Sequence, residues 1–269
     1  MVVPRATAKP REAATVMLVR DAPQLEVFML RRNLAVEFMG GAYVFPGGAV
    51  DAGDRAPELL GRCHGRDDSS ASTQLGLHAG GMGFWVAAVR ETFEEAGVLL
   101  AGDPGGGDVV PDVSGEDWEE QRQALLRRDL SLAELLARRG LALRSDLLRP
   151  FAHWITPPVE PRRYDTKFFV AALPVGQEAR DVSGEADEAS WLTPAAALIE
   201  LAAGTRPMLP PTSHTLGQLK AFPDVAAVLA GSPPEPLQPI SPRFEETPDG
   251  RWAVLPDGTR IRLVVPLPS

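Results

Sequence analysis

Between residues 90 and 97 the chain reads Arg-Glu-Thr-Phe-Glu-Glu-Ala-Gly, and this run constrains the rest of the molecule. At about 100° per residue, Glu91, Glu94 and Glu95 fall at i, i+3 and i+4 on one helical face. Val86, Val89 and Phe93 fall on the opposite face, so the spacing predicts an amphipathic helix over about Gly83–Ala96, stopped by Gly97. Three carboxylates on one face repel, by roughly 0.2–0.5 kcal/mol per i,i+4 pair on an open surface and by more where partly buried. A hard divalent cation removes that penalty because it prefers oxygen ligands. Arg90, four residues before Glu94, can brace one carboxylate. Taken alone, the run also reads as an ordinary helix with a solvated acidic face.

A helix with an apolar back needs a sheet or other helices to bury it. Ala14–Arg20 and Leu25–Arg31 read as two strands turning at Asp21-Ala22-Pro23, and a third apolar run, Ala42–Phe45, ends at Pro46-Gly47-Gly48. Further strands are expected at Phe151–Thr156, Thr166–Leu173 and Trp191-Leu192. Helices are expected at Glu116–Arg128, at Leu132–Arg139 with Ser131 as N-cap, from Pro194, and as one piece over Ser213–Leu229. Strands and helices mix without regular alternation, which gives an α/β (α+β) class with a mixed sheet packed between helices. Residues 1–12 read as a flexible tail and 13–230 as the main domain. Within it, about 52–82 reads as a surface insertion with a short helix near Pro57–Leu60. Residues 231–269 read as a proline-rich linker and a hairpin turning at Pro256-Asp257-Gly258.

The totals restrict function. A formal net charge of −9 argues against non-specific nucleic-acid binding, which calls for a basic surface. One cysteine, Cys63, excludes an internal disulfide and fits a reducing compartment. No run is long and apolar enough for a signal peptide or a membrane span, so a cytoplasmic protein without membrane association is expected. The histidines (His64, His78, His153, His214) show no metal-ligand spacing, and His153 reads as structural. An acidic protein acting on a polyanion needs local positive charge, which bound cations can supply.

Phe45-Pro46-Gly47-Gly48 followed by Arg90-Glu91-x-x-Glu94-Glu95-x-Gly97-Val98 resembles the Nudix box, G-x5-E-x7-R-E-U-x-E-E-x-G-U. With Gly48 as the first glycine, the box glutamate falls on Asp54. Thirty-five residues, 55–89, then stand where the box has seven, and Thr92 stands where it has an apolar residue. A split box of this kind, with residues 38–44 before it and residues 163–169 (RYDTKFF) after it, is similar to the peroxisomal coenzyme A diphosphatase branch of that family. The likeness spans roughly residues 13–230.

The resemblance implies a Nudix-type α/β/α sandwich and the metal-dependent hydrolysis of a diphosphate linkage in a nucleoside diphosphate derivative. It implies Glu91 and Glu95 as ligands to Mg²⁺ or Mn²⁺, Glu94 as a further ligand or water holder, the Gly48 carbonyl as another contact, and Arg90 as their orienting cation. An acidic residue in the loop before a late tryptophan, here Glu185 with Glu188 as the alternative, is implied as the base. Arg31, Arg32, Arg162, Arg163 and Lys167 are candidate phosphate-binding cations. Four residues before Gly41, where the coenzyme A signature has arginine, stands Glu37, so coenzyme A, ADP-ribose, a dinucleotide and a nucleotide sugar all stay open. The competing reading is a Nudix-like sensor that binds a nucleotide without cutting it. A homodimer built on the insertion and tail is a weaker expectation.

Overall fold

The computed structural model describes residues 8–34, 40–184, 186–231, 233 and 236–263. The chain begins with β1 (Arg11–Asp21) and β2 (Leu25–Arg32), an antiparallel pair. Arg11 and Glu12, expected in the tail, belong to β1 because they pair in parallel with Tyr164 and Asp165. Two short strands, β3 (Tyr43–Val44) and β4 (Gly47–Ala49), then pair with β2 and β1 respectively.

The insertion follows as a 3-10 turn (Ala52–Arg55), α1 (Pro57–Leu60), β5 (Cys63–His64) and α2 (Asp68–Leu75). It is not a loose surface excursion. Leu59, Ala71 and Leu75 are fully buried in the same core cluster as α3 (Met82–Ala96). Helix α2 escapes sequence analysis because it is polar and without period, yet Asp67 and Ser70 form a capping box at its start. In turn α2 caps α3: the Asp68 carboxylate accepts from the N–H groups of Gly80 and Met82 at 2.8 and 3.0 Å, and Ser72 Oγ accepts from Gly81 at 2.9 Å. Donors at a helix start have no intrahelical partner, so the insertion satisfies the N-terminus of the helix it precedes. Helix α3 ends as expected, with Gly97 in the left-handed region at φ 65°.

Next come β6 (Ala101–Gly102), α4 (Glu116–Leu126), α5 (Leu132–Arg139, with the Ser131 cap in place), β7 (Ala142–Arg144), β8 (Arg149–Ile155), β9 (Tyr164–Ala172), β10 (Ala186–Leu192) and α6 (Pro194–Ala202). The helix expected over Ser213–Leu229 is two helices, α7 (Pro210–Leu219) and α8 (Val225–Ala230). Pro223 lies between them, and Asp224 caps the second by accepting from Ala227. The segment expected as linker contains β11 (Pro239–Ile240), which pairs in parallel with His153 and Trp154 of β8. The terminal hairpin, β13 (Gly250–Val254) and β14 (Arg260–Arg262), has a third strand on its other side, β12 (Arg243–Thr247).

Among the described residues the main sheet has eight strands in the order β10-β2-β1-β9-β8-β11, with β3 on β2 and β4 on β1. It is mixed: β1 and β9 run parallel, β8 and β9 antiparallel. Alternate strand residues enter opposite layers. Ala14, Val16 and Leu18 of β1 face α3 and the insertion, while Met17 and Val19 face α6, α7 and α8. Trp85 of α3 is fully buried against Phe169, ring centroids 4.8 Å apart. The result is the α/β/α sandwich expected from the sequence, and it fixes the acidic face of α3 beside β4.

Candidate active site

Arg90 is the hub of the site. Its Nε and one Nη donate to the two carboxylate oxygens of Asp54 at 2.8 and 2.9 Å. The other Nη donates to Glu91 at 2.7 Å and Glu94 at 3.1 Å, and the Ala49 carbonyl takes the fifth N–H at 2.9 Å. All five guanidinium donors are thereby used. Asp54 is buried in the 3-10 turn, where it also accepts from the Asp51 N–H at 2.8 Å. The 35 residues that split the box therefore leave its parts assembled: Asp54 stands against Arg90 as the shorter counterpart of the box glutamate.

The glycine half meets the glutamates directly. Gly47 N–H donates to Glu95 at 2.9 Å. A Cβ on Gly48 would lie 2.4–2.7 Å from the carboxylate atoms of Glu91, so only glycine leaves that side chain its place. Burial is the largest influence on Glu91 and pushes its carboxyl up to about 7, against the pull of Arg90. Burial likewise raises Glu94. It opposes the charge of Arg90, yet Asp54, Glu91 and Glu94 overcome that and raise the arginine's pKa.

Four carboxylates against one guanidinium leave an excess of negative charge with oxygen donors only, the chemistry a hard divalent ion satisfies. Among the described residues no three acidic, histidine or cysteine groups converge as a preformed cage, since Glu91 and Glu94 share one nitrogen of Arg90 while Glu95 turns to Gly47. The all-oxygen donor set fits a hard divalent metal that would draw these carboxylates from their present partners.

The remaining candidates are sorted by their partners. Arg31 is held by Asp187 at 2.5 Å and Glu188 at 3.4 Å, at the edge of the sheet. Arg163 donates to the carbonyls of Thr156 and Ala8, pinning the N-terminal segment. Lys167 is fully buried, 2.8 Å from Asp165 and 2.6 Å from His153, and serves the core. Neither arginine lines a cleft beside the box. Arg32 and Arg162 do. Glu188 is spent on Tyr43, Arg31 and Arg206. Glu185 and Glu37 lie outside the described residues.

The loop leading to Glu185 is nonetheless tied to the site by a residue that sequence analysis missed. Arg122 of α4, buried, donates at 2.7 Å to the carbonyls of both Glu94 and Val182. Arg180 and Val182 N–H also bond to the carbonyls of Ala96 and Glu95. An arginine on a polar helix carries no sequence signal for such a clamp.

Two clefts flank the box. One, of about 340 Å³, is lined by Asp51, Asp54, Arg90, Glu94 and Arg128. The other, about 560 Å³, runs from the backbone of Gly47–Ala49 past Arg32 and along Trp154 and Phe168.

The NUDT19 Nudix domain family model matches residues 66–219, which includes the glutamate half of the box. The chain is 30% identical over 208 residues to a Gallus gallus acyl-coenzyme A diphosphatase NUDT19, covering 61% of this chain and 55% of the relative. It is 27% identical over 236 residues to the Xenopus laevis protein of the same name, covering 73% and 60%. It thus spans little more than half the length of these curated relatives. Among solved structures, a Nudix hydrolase from Alicyclobacillus acidocaldarius superposes with a TM-score of 0.71 at 30% identity, covering 84% of this chain and 97% of that one. Such hydrolases are typically metal-dependent. No helix among the described residues is long and apolar enough to cross a membrane. With the split box closed around Arg90 and these likenesses in hand, the chain belongs to the Nudix hydrolase family, in its NUDT19 Nudix domain branch.

Proposed function

We propose that this protein hydrolyses the diphosphate linkage of coenzyme A and its acyl derivatives, releasing adenosine 3′,5′-bisphosphate and a 4′-phosphopantetheine. The observation that carries the reading is the clustering of Glu91, Glu94 and Asp54 on Arg90, with Glu95 on Gly47 of the box turn. The substrate class is drawn from the relatives' names, acyl-coenzyme A diphosphatase.

Glu91 and Glu95 would hold Mg²⁺ or Mn²⁺, with Glu94 and the Gly48 carbonyl as further contacts. When bound, a divalent ion supplies neutralising charge to the diphosphate oxygens and lowers the pKa of a water. Arg90 orients Glu91 and Glu94 and keeps both within reach of one point. Glu185 takes the proton of the attacking water, and Arg122 holds the base of its loop to the end of α3. Water oxygen forms a bond to one phosphorus, the bridging P–O bond breaks, and the other phosphate leaves with the electron pair. Arg32 contributes a fixed cation to the substrate's anionic groups.

Mass spectrometry of coenzyme A incubated with the protein and Mg²⁺ or Mn²⁺ tests this. The two monophosphates are expected as products, and Glu94→Gln together with Glu95→Gln is expected to remove at least 99% of turnover. Full turnover by that double variant, or coenzyme A left intact by the wild type, overturns the reading.

A further inference from the structure

We propose that the C-terminal extension, residues 236–263, forms the selectivity wall of the 560 Å³ cleft and packs Phe244 and Pro242 against the acyl-pantetheine arm of the substrate. The inference rests on the acyl-coenzyme A reading above. The cleft begins at the backbone of Gly47 and Gly48, on whose far side stand Glu95 and Glu91, so an arm leaving a diphosphate held at those glutamates enters it across the box turn. Arg32, lining the same cleft, has its buried Nε without a hydrogen-bond partner among the described residues. It is a cation available there for a phosphate.

Beside Arg32 the cleft is lined by polar residues, Thr156, Thr166 and Thr212 among them, and by a set of apolar ones. Phe168, Pro210, Pro242 and Phe244 offer no side-chain donor or acceptor. A hydrocarbon chain laid on those four side chains leaves no polar group unpaired, while the amides and hydroxyl of the pantetheine find partners among the cleft's polar residues, Thr156, Thr166 and Thr212. Phe244 and Pro242 come from outside residues 66–219, the span matched by the family model.

The wall is built to stay in place. β11 pairs with β8 at His153 and Trp154, directly beside the cleft. Leu255, the residue after β13, is buried in the core cluster that holds Leu216 and Leu219 of α7. Between these anchors β12 carries Phe244, pairing with Ala253, and Arg251 stacks on its ring at 5.2 Å.

Hydrogen–deuterium exchange on the full chain, with Ca²⁺ replacing the catalytic ion, reads ligand position without turnover. Dodecanoyl-coenzyme A and ADP-ribose are compared, with slowed exchange at residues 88–98 reporting that each is bound. Dodecanoyl-coenzyme A is expected to slow exchange at 240–247 as well, and ADP-ribose is not. In steady state, Phe244→Ala is expected to lower about tenfold the ratio of kcat/KM for dodecanoyl-coenzyme A to that for free coenzyme A. Equal protection of 240–247 by ADP-ribose would assign the cleft to the adenosine half and overturn the inference. So would protection confined to 88–98, or an unchanged ratio. Protection of 240–247 without turnover in Mg²⁺ would sink the reaction and leave the wall standing; no protection at either segment would sink both.

Discussion

A methyl group added at Gly47 and at Gly48 would do two different kinds of damage. At Gly47 the new Cβ falls 2.5 Å from the Ala14 carbonyl oxygen and 2.6 Å from Thr15 Cα, backbone atoms of a central strand. Gly47→Ala is expected to lower stability by about 1–3 kcal/mol, read as a lower urea midpoint. At Gly48 the obstacle is the end of the Glu91 side chain, which can move aside. Gly48→Ala is expected to keep the urea midpoint within about 0.5 kcal/mol and to lose roughly a hundredfold in kcat, the cost of displacing a positioned group by about an ångström. A second residue-scale test concerns Asp165. Burial alone would raise its carboxyl, but hydrogen bonds from His153 and Lys167 hold it down at about 2, below the ordinary 3.8. A depressed carboxyl contributes its full stability above about pH 4 and loses it as pH falls toward 2. Asp165→Asn is expected to cost about 2 kcal/mol at pH 7, and the gap to wild type is expected to close in melts taken at pH 2. At this scale the glutamate run and its arginine were legible because one helical turn brings them together. The fates of Arg31 and Lys167 were not, since Asp187 and Glu188 sit on a neighbouring strand far along the chain, and nothing in the pattern RYDTKFF says that the lysine points into the core.

Helix α3 owes its start to another element. Its first N–H groups are satisfied by Asp68 and Ser72 from α2, so the insertion is part of the support of the helix that carries the glutamates. Asp68→Ala is expected to lower stability by about 1–2 kcal/mol and to speed amide exchange in the first turn of α3, which exchange mass spectrometry would resolve. If the melting point and that exchange stay unchanged, the cap is not what holds the helix start. Elements with strong period or clear punctuation were readable in advance: β1, β2, α3 with Gly97, and α5 with Ser131. Those missed lack such marks. Helix α2 is mostly polar with only Ala71 and Leu75 to mark its buried side, Pro223 stands inside a helical pattern that otherwise continues from α7 to α8, and the two residues of β11 become a strand only because β8 leaves an edge for them.

Across the whole molecule, the sheet brings together pieces that the sequence scatters. The box turn, Asp54 and Arg90 of α3 meet although 35 residues intervene between the second and third, and the tail, expected as a separate appendage, reaches back to the cleft beside the box turn. The class of fold was legible because two faces of alternating strands demand two helical layers. The roles of the insertion and the extension were not, because both act through packing that only the folded chain defines. The claim on which the rest depends is that the acidic face of α3 binds divalent cations. Titration of the intact protein with Mn²⁺, followed by electron paramagnetic resonance, measures this directly. Wild type is expected to bind Mn²⁺ in competition with Mg²⁺, and Glu91→Gln together with Glu95→Gln is expected to weaken that binding at least a hundredfold. Equal Mn²⁺ binding by the two proteins would contradict the account.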